Sequence, residues 1–183
     1  MPSLNSISPI LIANRGEIAA RIARTVRSLG LEAVGVYTEE DASMPYVESL
    51  DQSCRISDYL DGEALIEAAR RIGARSVHPG FGFLAENAGF AQQVIDAGLI
   101  WIGPGVDAIE VMGSKRGARQ RVSADGVSVV PGYDGEAQDD DTLMARAEDV
   151  GFPLLVKASA GGGGKGMAVV DSLEGMRSAL EQA

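Results

Sequence analysis

Four consecutive glycines, Gly161 to Gly164, constrain this chain more than any other stretch. The apolar run Pro153-Leu154-Leu155-Val156 enters the stretch and Met167-Ala168-Val169-Val170 leaves it, with Lys157 and Lys165 on either side. Short apolar runs around a glycine cluster read as strand, long loop, strand. Glycine lets backbone N–H groups approach an anion with no Cβ in the way. Successive N–H groups beside two lysines therefore form a candidate phosphate cradle. Four readings stay open. Gly161-x-Gly163-x-x-Gly166 satisfies the dinucleotide-binding spacing, but that turn needs a helix after it and a strand pattern follows. A Walker A loop needs Ser or Thr after Gly164-Lys165, where Gly166 stands. A hairpin that folds over a nucleotide as a lid suits the flanking strands. A solvent-exposed linker is the fourth reading. Lys157 at the end of an apolar strand argues against it, because a lysine drawn into such a place takes an anionic partner. The glycine run also predicts mobility over 158–166.

Length bounds what surrounds this loop: 183 residues suffice for one large domain, or one domain and part of another. A hydrophobic share of 45% can bury a core, and 23 glycines suit a loop-rich α/β protein. The net charge of −10 and the run Asp139-Asp140-Asp141 argue against nucleic acid held on a basic face. A small anion such as ATP stays compatible, since local lysines outweigh distant negative charge. Cys54 is the single cysteine, so no intramolecular disulfide forms and a reducing, cytoplasmic compartment is expected. Cys54 itself reads as a small buried apolar residue. Met1 to Pro9 lacks a basic stretch followed by a long apolar one, so neither signal peptide nor membrane span is expected.

Taken in order, the chain alternates strand and helix. Ile10-Leu11-Ile12-Ala13 reads as a strand of a buried parallel sheet. Asn14 and Glu17 match a capping box for the helix that follows, with Ile18, Ile22, Val26 and Leu29 on its inner face. Gly30 ends that helix, and residues 32–37 form the second strand of a right-handed β-α-β unit. The pattern weakens from Thr38 to Tyr59, where a half-turn of helix and an edge strand fit. Asp61 caps a helix over 62–72, and a strand over 75–78 leads into the loop Pro79 to Asn87. Ligands of open α/β sheets bind outside the carboxyl ends of strands, where this loop lies. Asn87 caps the next helix, with Phe90, Ala91, Val94 and Ile95 inward, and residues 99–102 read as a fourth buried strand. The expected organisation is an α/β domain over 1–112, a helical linker over 113–132 and a partial domain over 133–183. Two strands and two helices make a poor independent domain, since sheets generally need three or more strands, so the chain is expected to stop inside a domain.

Five stretches resemble the biotin carboxylase family, in its order. They are Ile12-Ala13-Asn14-Arg15-Gly16-Glu17-Ile18-Ala19, then His78 to Asn87 (HPGFGFLAEN), then Ile102-Gly103-Pro104 with Met112-Gly113-Ser114-Lys115, then Val130-Pro131-Gly132, and finally Lys157 to Met167 (KASAGGGGKGM). The resemblance implies a Rossmann-like pre-ATP-grasp domain with a parallel sheet, followed by a truncated ATP-grasp lid subdomain carrying the glycine loop. It implies the biotin carboxylase component of a carboxylase such as an acyl-CoA carboxylase α subunit of fatty acid metabolism. Such an enzyme uses ATP and Mg2+ to turn bicarbonate into carboxyphosphate, then carboxylates biotin on a carrier protein. By the same resemblance, Lys115 and Lys157 hold ATP phosphates, Gly163 and Gly164 close over them, and Met167 lines the adenine. Phe81 and Glu86 fall on the biotin and bicarbonate side, and many relatives carry tyrosine where Phe81 stands. From the residues alone, Lys115 also reads as a solvated helix lysine. Glu86 also reads as a carboxylate favoured at a helix start, and His78 as a structural histidine at a strand end.

In the family, the Mg2+ carboxylates, the bicarbonate-binding basic cluster and the general base lie past the position of Ala183, so no metal ligand is assigned here. The biotin-attachment motif, a lysine between methionines, is absent, so biotin is a substrate on a carrier. The expected partners are a biotin carboxyl carrier protein, a carboxyltransferase subunit and a second copy of the chain. The expectation is an N-terminal fragment inactive by itself. Two other classes stay open: a non-catalytic interaction or dimerisation module using the first helix with Arg24, and an ordinary dehydrogenase domain.

Overall fold

Ile10–Ile12 (β1) is apolar at every position, and all three side chains are buried. A strand covered on both faces has this composition. A computed structural model describes residues 4–158 and 166–182. The chain divides into two units, Met1–Ile109 and Glu110–Ala183. In the first unit β1 is followed by α1 (Gly16–Ser28), β2 (Ala33–Tyr37), the one-turn α2 (Pro45–Glu48), β3 (Gln52–Arg55), α3 (Gly62–Ile72), β4 (Ser76–His78), α4 (Ala88–Asp96) and β5 (Ile100–Trp101). The five strands form one sheet in the order β3-β2-β1-β4-β5, with every pair parallel. β1 is central, with Leu11 opposite Val34 on one side and Val77 on the other.

Strand side chains alternate between faces, and two cores result. Leu11, Val34, Val36 and Val77 pack with Leu65 and Ala69 of α3 and Phe90 and Val94 of α4. Ile10, Ile12 and Ala33 pack with Ala19, Ile22, Ala23 and Val26 of α1, and with Tyr46 of α2. The unit is thus three layers, α1 and α2 on one face and α3 and α4 on the other. Cys54 is buried as a small core residue, and the Arg71 guanidinium donates to its Sγ. No helix among the described residues is long and apolar enough to cross a membrane.

Three expectations need correction. Helical spacing places Leu29 inside, but it is 54% exposed. α1 ends at Ser28, Gly30 turns the chain at φ +73°, and Leu31 occupies the core instead. Ile95 is 45% exposed because it lies in the last turn of α4, away from Phe90, Ala91 and Val94. β5 is a two-residue edge strand with Ile100 half-exposed, not a buried one.

α5 (Val106–Gly113) and α6 (Lys115–Ala124) follow β5, and the second unit continues with α7 (Asp140–Val150), β6 (Leu154–Lys157), β7 (Met167–Val170) and α8 (Leu173–Gln182). β6 and β7 pair antiparallel, with Leu155 opposite Val169 and Lys157 opposite Met167. Val156 and Val170 turn inward onto Ala147 of α7 and Met176 and Ala179 of α8, a small core. The acidic run is a helix start. Asp139 caps α7, its Oδ1 accepting from Thr142 N at 2.9 Å, and Asp140 and Asp141 sit in the first turn, where the helix dipole favours them.

Asp51 ties α1 to the start of β2. Its carboxylate accepts from Arg27 Nη2 at 2.7 Å and from Ala33 N at 2.8 Å. The Arg27 hydrogen bond, helped by the Ala33 N–H, holds the Asp51 carboxyl below its ordinary value. A depressed carboxyl stabilises the fold above its unfolded pKa of about 3.9 and loses that contribution as pH falls further. Both side chains are partly exposed, so the pair contributes about 0.2–1 kcal/mol. Asp51→Asn is expected to lower stability by that amount uniformly from pH 7 to pH 5. Urea denaturation should show the gap closing as pH falls below about 3.9, toward the depressed folded value.

Candidate functional site

At the carboxyl end of β1, Asn14 is 1% exposed. Its Nδ2 donates to Pro79 O at 2.8 Å and Phe81 O at 2.9 Å, and its Oδ1 accepts from Arg15 N at 2.9 Å. The capping-box expectation therefore fails. Arg15 occupies the N-cap position with no side-chain cap, because the Asn14 amide is already engaged by carbonyls of the loop after β4. That loop crosses Asn14 closely at Gly80, which has φ +70°; a Cβ there would stand 2.7 Å from Asn14 Nδ2. Gly80 N donates to His78 Nδ1 at 3.0 Å, so His78 presents an acceptor on that side. Burial holds the imidazole below its ordinary pKa of 6.5. These are the features of a structural histidine.

Past Gly80 the loop carries Phe81, 74% exposed, and then Phe83, at the unusual φ of +45° for a non-glycine residue. The Phe83 ring stacks on Tyr59 at 5.1 Å between centroids. Tyr59 OH donates to Asp41 Oδ2 at 2.6 Å, Thr38 N donates to Tyr59 OH at 3.2 Å, and the Tyr46 and Tyr59 hydroxyls lie 2.8 Å apart. Asp41 is fully buried and pairs with the Arg15 guanidinium, which lies 5.7 Å from the Tyr59 ring centre. Burial raises the Tyr46 and Tyr59 hydroxyls above their ordinary values, so both keep their protons. Glu86 is exposed and stands one residue before Asn87, whose Oδ1 accepts from Phe90 N at 2.9 Å as the cap of α4. The loop thus presents Phe81 and Glu86 outward from the carboxyl end of the sheet. Sequence reading misses Arg15, Asp41 and Tyr59 as members of one cluster. Its one local signal is a polar pair, Asn14-Arg15, directly after an all-apolar strand.

In the second unit, Lys115 is the first residue of α6, behind the cap Ser114, whose Oγ accepts from Gly117 N at 3.1 Å. Lys157 ends β6 and is exposed, so the premise that it is drawn into an apolar place does not hold. Among the described residues one face of this two-stranded sheet is covered, and Lys157 is on the other. Directly across from it stands Met167, 43% exposed, and Ala158 N donates to Gly166 O at 3.0 Å beyond the pair. Lys157 and Met167 share their face with Leu155 and Val169, which are 42% and 71% exposed. The strand after Gly166 removes the dinucleotide-turn reading, which needs a helix there. Gly163 and Gly164, and the mobility expected over most of 158–166, lie outside the described residues. Among the described residues no group of three or more His, Cys, Asp or Glu could hold a metal ion, so no Mg2+ site is built from them.

A family model described as the biotin carboxylase N-terminal domain matches residues 6–109, more than half of the chain. A second, the carbamoyl-phosphate synthase L chain ATP-binding domain, matches residues 114–183. The mitochondrial methylcrotonoyl-CoA carboxylase subunit alpha of Arabidopsis thaliana is 46% identical over 177 residues, 93% of this chain and 24% of that protein. The biotin-dependent acyl-coenzyme A carboxylase alpha3 subunit of Mycobacterium leprae is 44% identical over 97% of this chain and 31% of its own length. The chain thus spans about a quarter to a third of the length of these two relatives. Among solved structures, a biotin carboxylase complex with β,γ-ATP from Campylobacter jejuni is similar with a TM-score of 0.91 at 38% identity, covering 97% of this chain and 41% of that one. The biotin carboxylase domain dimer of Hydrogenobacter thermophilus 2-oxoglutarate carboxylase, with MgADP, ADP and bicarbonate, gives 0.87 at 38% identity, covering 92% and 38%.

His78 is the only histidine, so its titration is directly readable. Its ring protons are expected to titrate below pH 6.5 in proton NMR, because burial disfavours the charged form. A midpoint at or above 6.5 would contradict the neutral, accepting His78 of this loop.

Proposed function

The chain belongs to the biotin carboxylase family, and on that premise we propose that it supplies the N-terminal part of an ATP-dependent ligase. In that ligase ATP and bicarbonate give carboxyphosphate, and the carboxyl group passes to biotin on a carrier protein. The observation that carries the reading is the Lys157–Met167 pair. One register position of the hairpin sets a lysine opposite a soft apolar side chain, on a face that already exposes Leu155 and Val169. A nucleotide presents that combination, a flat base next to phosphates. Met and aliphatic side chains offer contact to the base, and the ammonium offers charge to the phosphates. Lys115, at the start of α6, offers a second cation beside helix N–H groups, where anions are favoured. Gly163 and Gly164 are proposed to close over the phosphates. Phe81 and Glu86 are proposed to face biotin and bicarbonate. A phenyl group supplies surface there and no hydroxyl.

The nucleotide supplies an activated phosphoryl group, and the chain's own residues bind and orient it. Charge placed in advance on the transferring phosphates is the main contribution a protein makes to such a transfer. A biotin carboxyl carrier protein, a carboxyltransferase subunit and a second copy of the chain complete the proposal. The exposed side of α1, with Arg24, is the proposed dimer surface, in line with the domain dimer from Hydrogenobacter thermophilus. The carboxylates that hold Mg2+ in the family fall, by the resemblance, in parts of the relatives that this chain does not match. The 183-residue polypeptide alone is therefore proposed not to turn over ATP.

A fluorescent ATP analogue titrated into the polypeptide tests the nucleotide reading. Saturable binding is expected, weakened about tenfold or more in Lys157→Ala, the scale of one charge-assisted hydrogen bond. Equal affinity of the two proteins would sink the assignment of Lys157. Bicarbonate-dependent ATP hydrolysis is expected to be the same in both, at background. Turnover lost on the substitution would overturn the inactivity of the isolated polypeptide.

A further inference from the structure

We infer that Asn14 and Tyr59 are positioning residues that grip the loop after β4 at two points, around Gly80 and at Phe83, and thereby fix how Phe81, which lies between them, is presented. The inference rests on the reading of that loop as the biotin and bicarbonate side, but its geometry stands by itself. The first grip is the Asn14 carboxamide. Its two donor bonds go to the carbonyls of Pro79 and Phe81, which bracket Gly80. Gly80 is pressed so close that a Cβ would collide with the Asn14 amide and with Ile18 Cγ2, 2.9 Å away. The loop is thus bonded to Asn14 on both sides of Gly80, and only glycine fits the gap between them. The Phe81 backbone is held while its ring is left in solvent.

The second grip is at Phe83. A φ of +45° places a bulky residue where only glycine is comfortable, at a cost of about 1–2 kcal/mol. Such a conformation persists only when its surroundings over-determine it. The surroundings here are the Tyr59 ring stacked on Phe83, with the Arg15 guanidinium 5.7 Å from the centre of the same ring. Tyr59 cannot swing away, because its hydroxyl is bonded to the fully buried Asp41 and to Thr38 N, just past β2. Asp41 in turn is neutralised by Arg15, the residue next to Asn14. The two grips therefore share one dipeptide at the carboxyl end of the central strand. A loop that merely connected β4 to α4 would need neither an outlying Phe83 nor a buried carboxylate to brace its stacking partner.

Labelling with 4-fluorophenylalanine tests this on the 183-residue polypeptide. It gives four fluorine signals, from Phe81, Phe83, Phe90 and Phe152. Single Phe81→Leu and Phe83→Leu variants assign the first two. Phe90 packs edge-on against Trp101 in the core, and Phe152 lies in the other unit, so both serve as controls. Asn14→Asp keeps size and the acceptor for Arg15 N but turns an acceptor toward the two loop carbonyls. Its expected result is a shift and broadening of the Phe81 and Phe83 signals with Phe90 and Phe152 unmoved. Tyr59→Phe keeps the ring and removes the brace to Asp41, and is expected to move Phe83 more than Phe81. Unmoved Phe81 and Phe83 signals in both variants overturn the proposal, as do changes shared by all four signals, which report general loosening. No nucleotide is present, so failure of the ATP reading and failure of this one are separate results.

Discussion

The Asn14 carboxamide is the point on which the first unit's surface depends. It lies at the end of the central strand, nearly sealed from water, with both donor protons given to a loop more than sixty residues downstream. An unmade hydrogen bond at such depth costs about 1–3 kcal/mol, more than a made one contributes net. The position therefore works by exclusion: any loop path that leaves the amide unpaired is expensive, and the path that satisfies it passes Gly80 at contact distance. One polar residue thus converts the stability of a parallel sheet into a fixed surface loop. Loops built on rigid sheets are the usual carriers of binding groups.

The same logic runs sideways through the buried polar cluster. Asp41 without Arg15 would be an uncompensated charge in the interior, and Tyr59 without Asp41 would keep its hydroxyl but lose its brace. Only the carboxylate of this pair is buried, the Arg15 side chain being 46% exposed, so the cost falls on leaving Asp41 unpaired rather than on any large net gain from the pair. Its role here is better described as specification than as stabilisation: it selects one orientation of Tyr59, and with it the stacking surface for Phe83.

Much of the fold was legible because its signals are local. β1 is apolar throughout, Asp61 and Asn87 stand three residues before the N–H groups they cap, and α3 falls where its periodicity and cap place it. What failed was non-local. Asn14 looks like a cap until its partners are known, and those partners come from another strand end. Leu29 and Ile95 continue a helical stripe beyond the turn where the sheet stops supporting it. Asp41 and Tyr59 sit in a weakly patterned stretch, and nothing local says that their side chains meet. The two strands flanking the glycine stretch were legible on both sides, and β6 and β7 pair antiparallel as a hairpin.

The continuous run Leu154-Leu155-Val156 suggests a strand covered twice, yet the hairpin is covered once. Leu155, Val169 and Met167 therefore show apolar surface to solvent around the Lys157 ammonium. Each square ångström of such surface forgoes about 25 cal/mol of burial. A sequence under selection for the stability of this unit alone would place Thr, Lys or Glu at those positions, as half-exposed strands commonly do. Keeping them apolar, with one cation at the end that leads into the glycines, is intelligible when a ligand with a flat face and an anionic tail covers them. Lys157 therefore need not be buried, the premise that the structure removed, to meet such a ligand: exposed, it has Met167 directly across from it and Leu155 and Val169 on the same face.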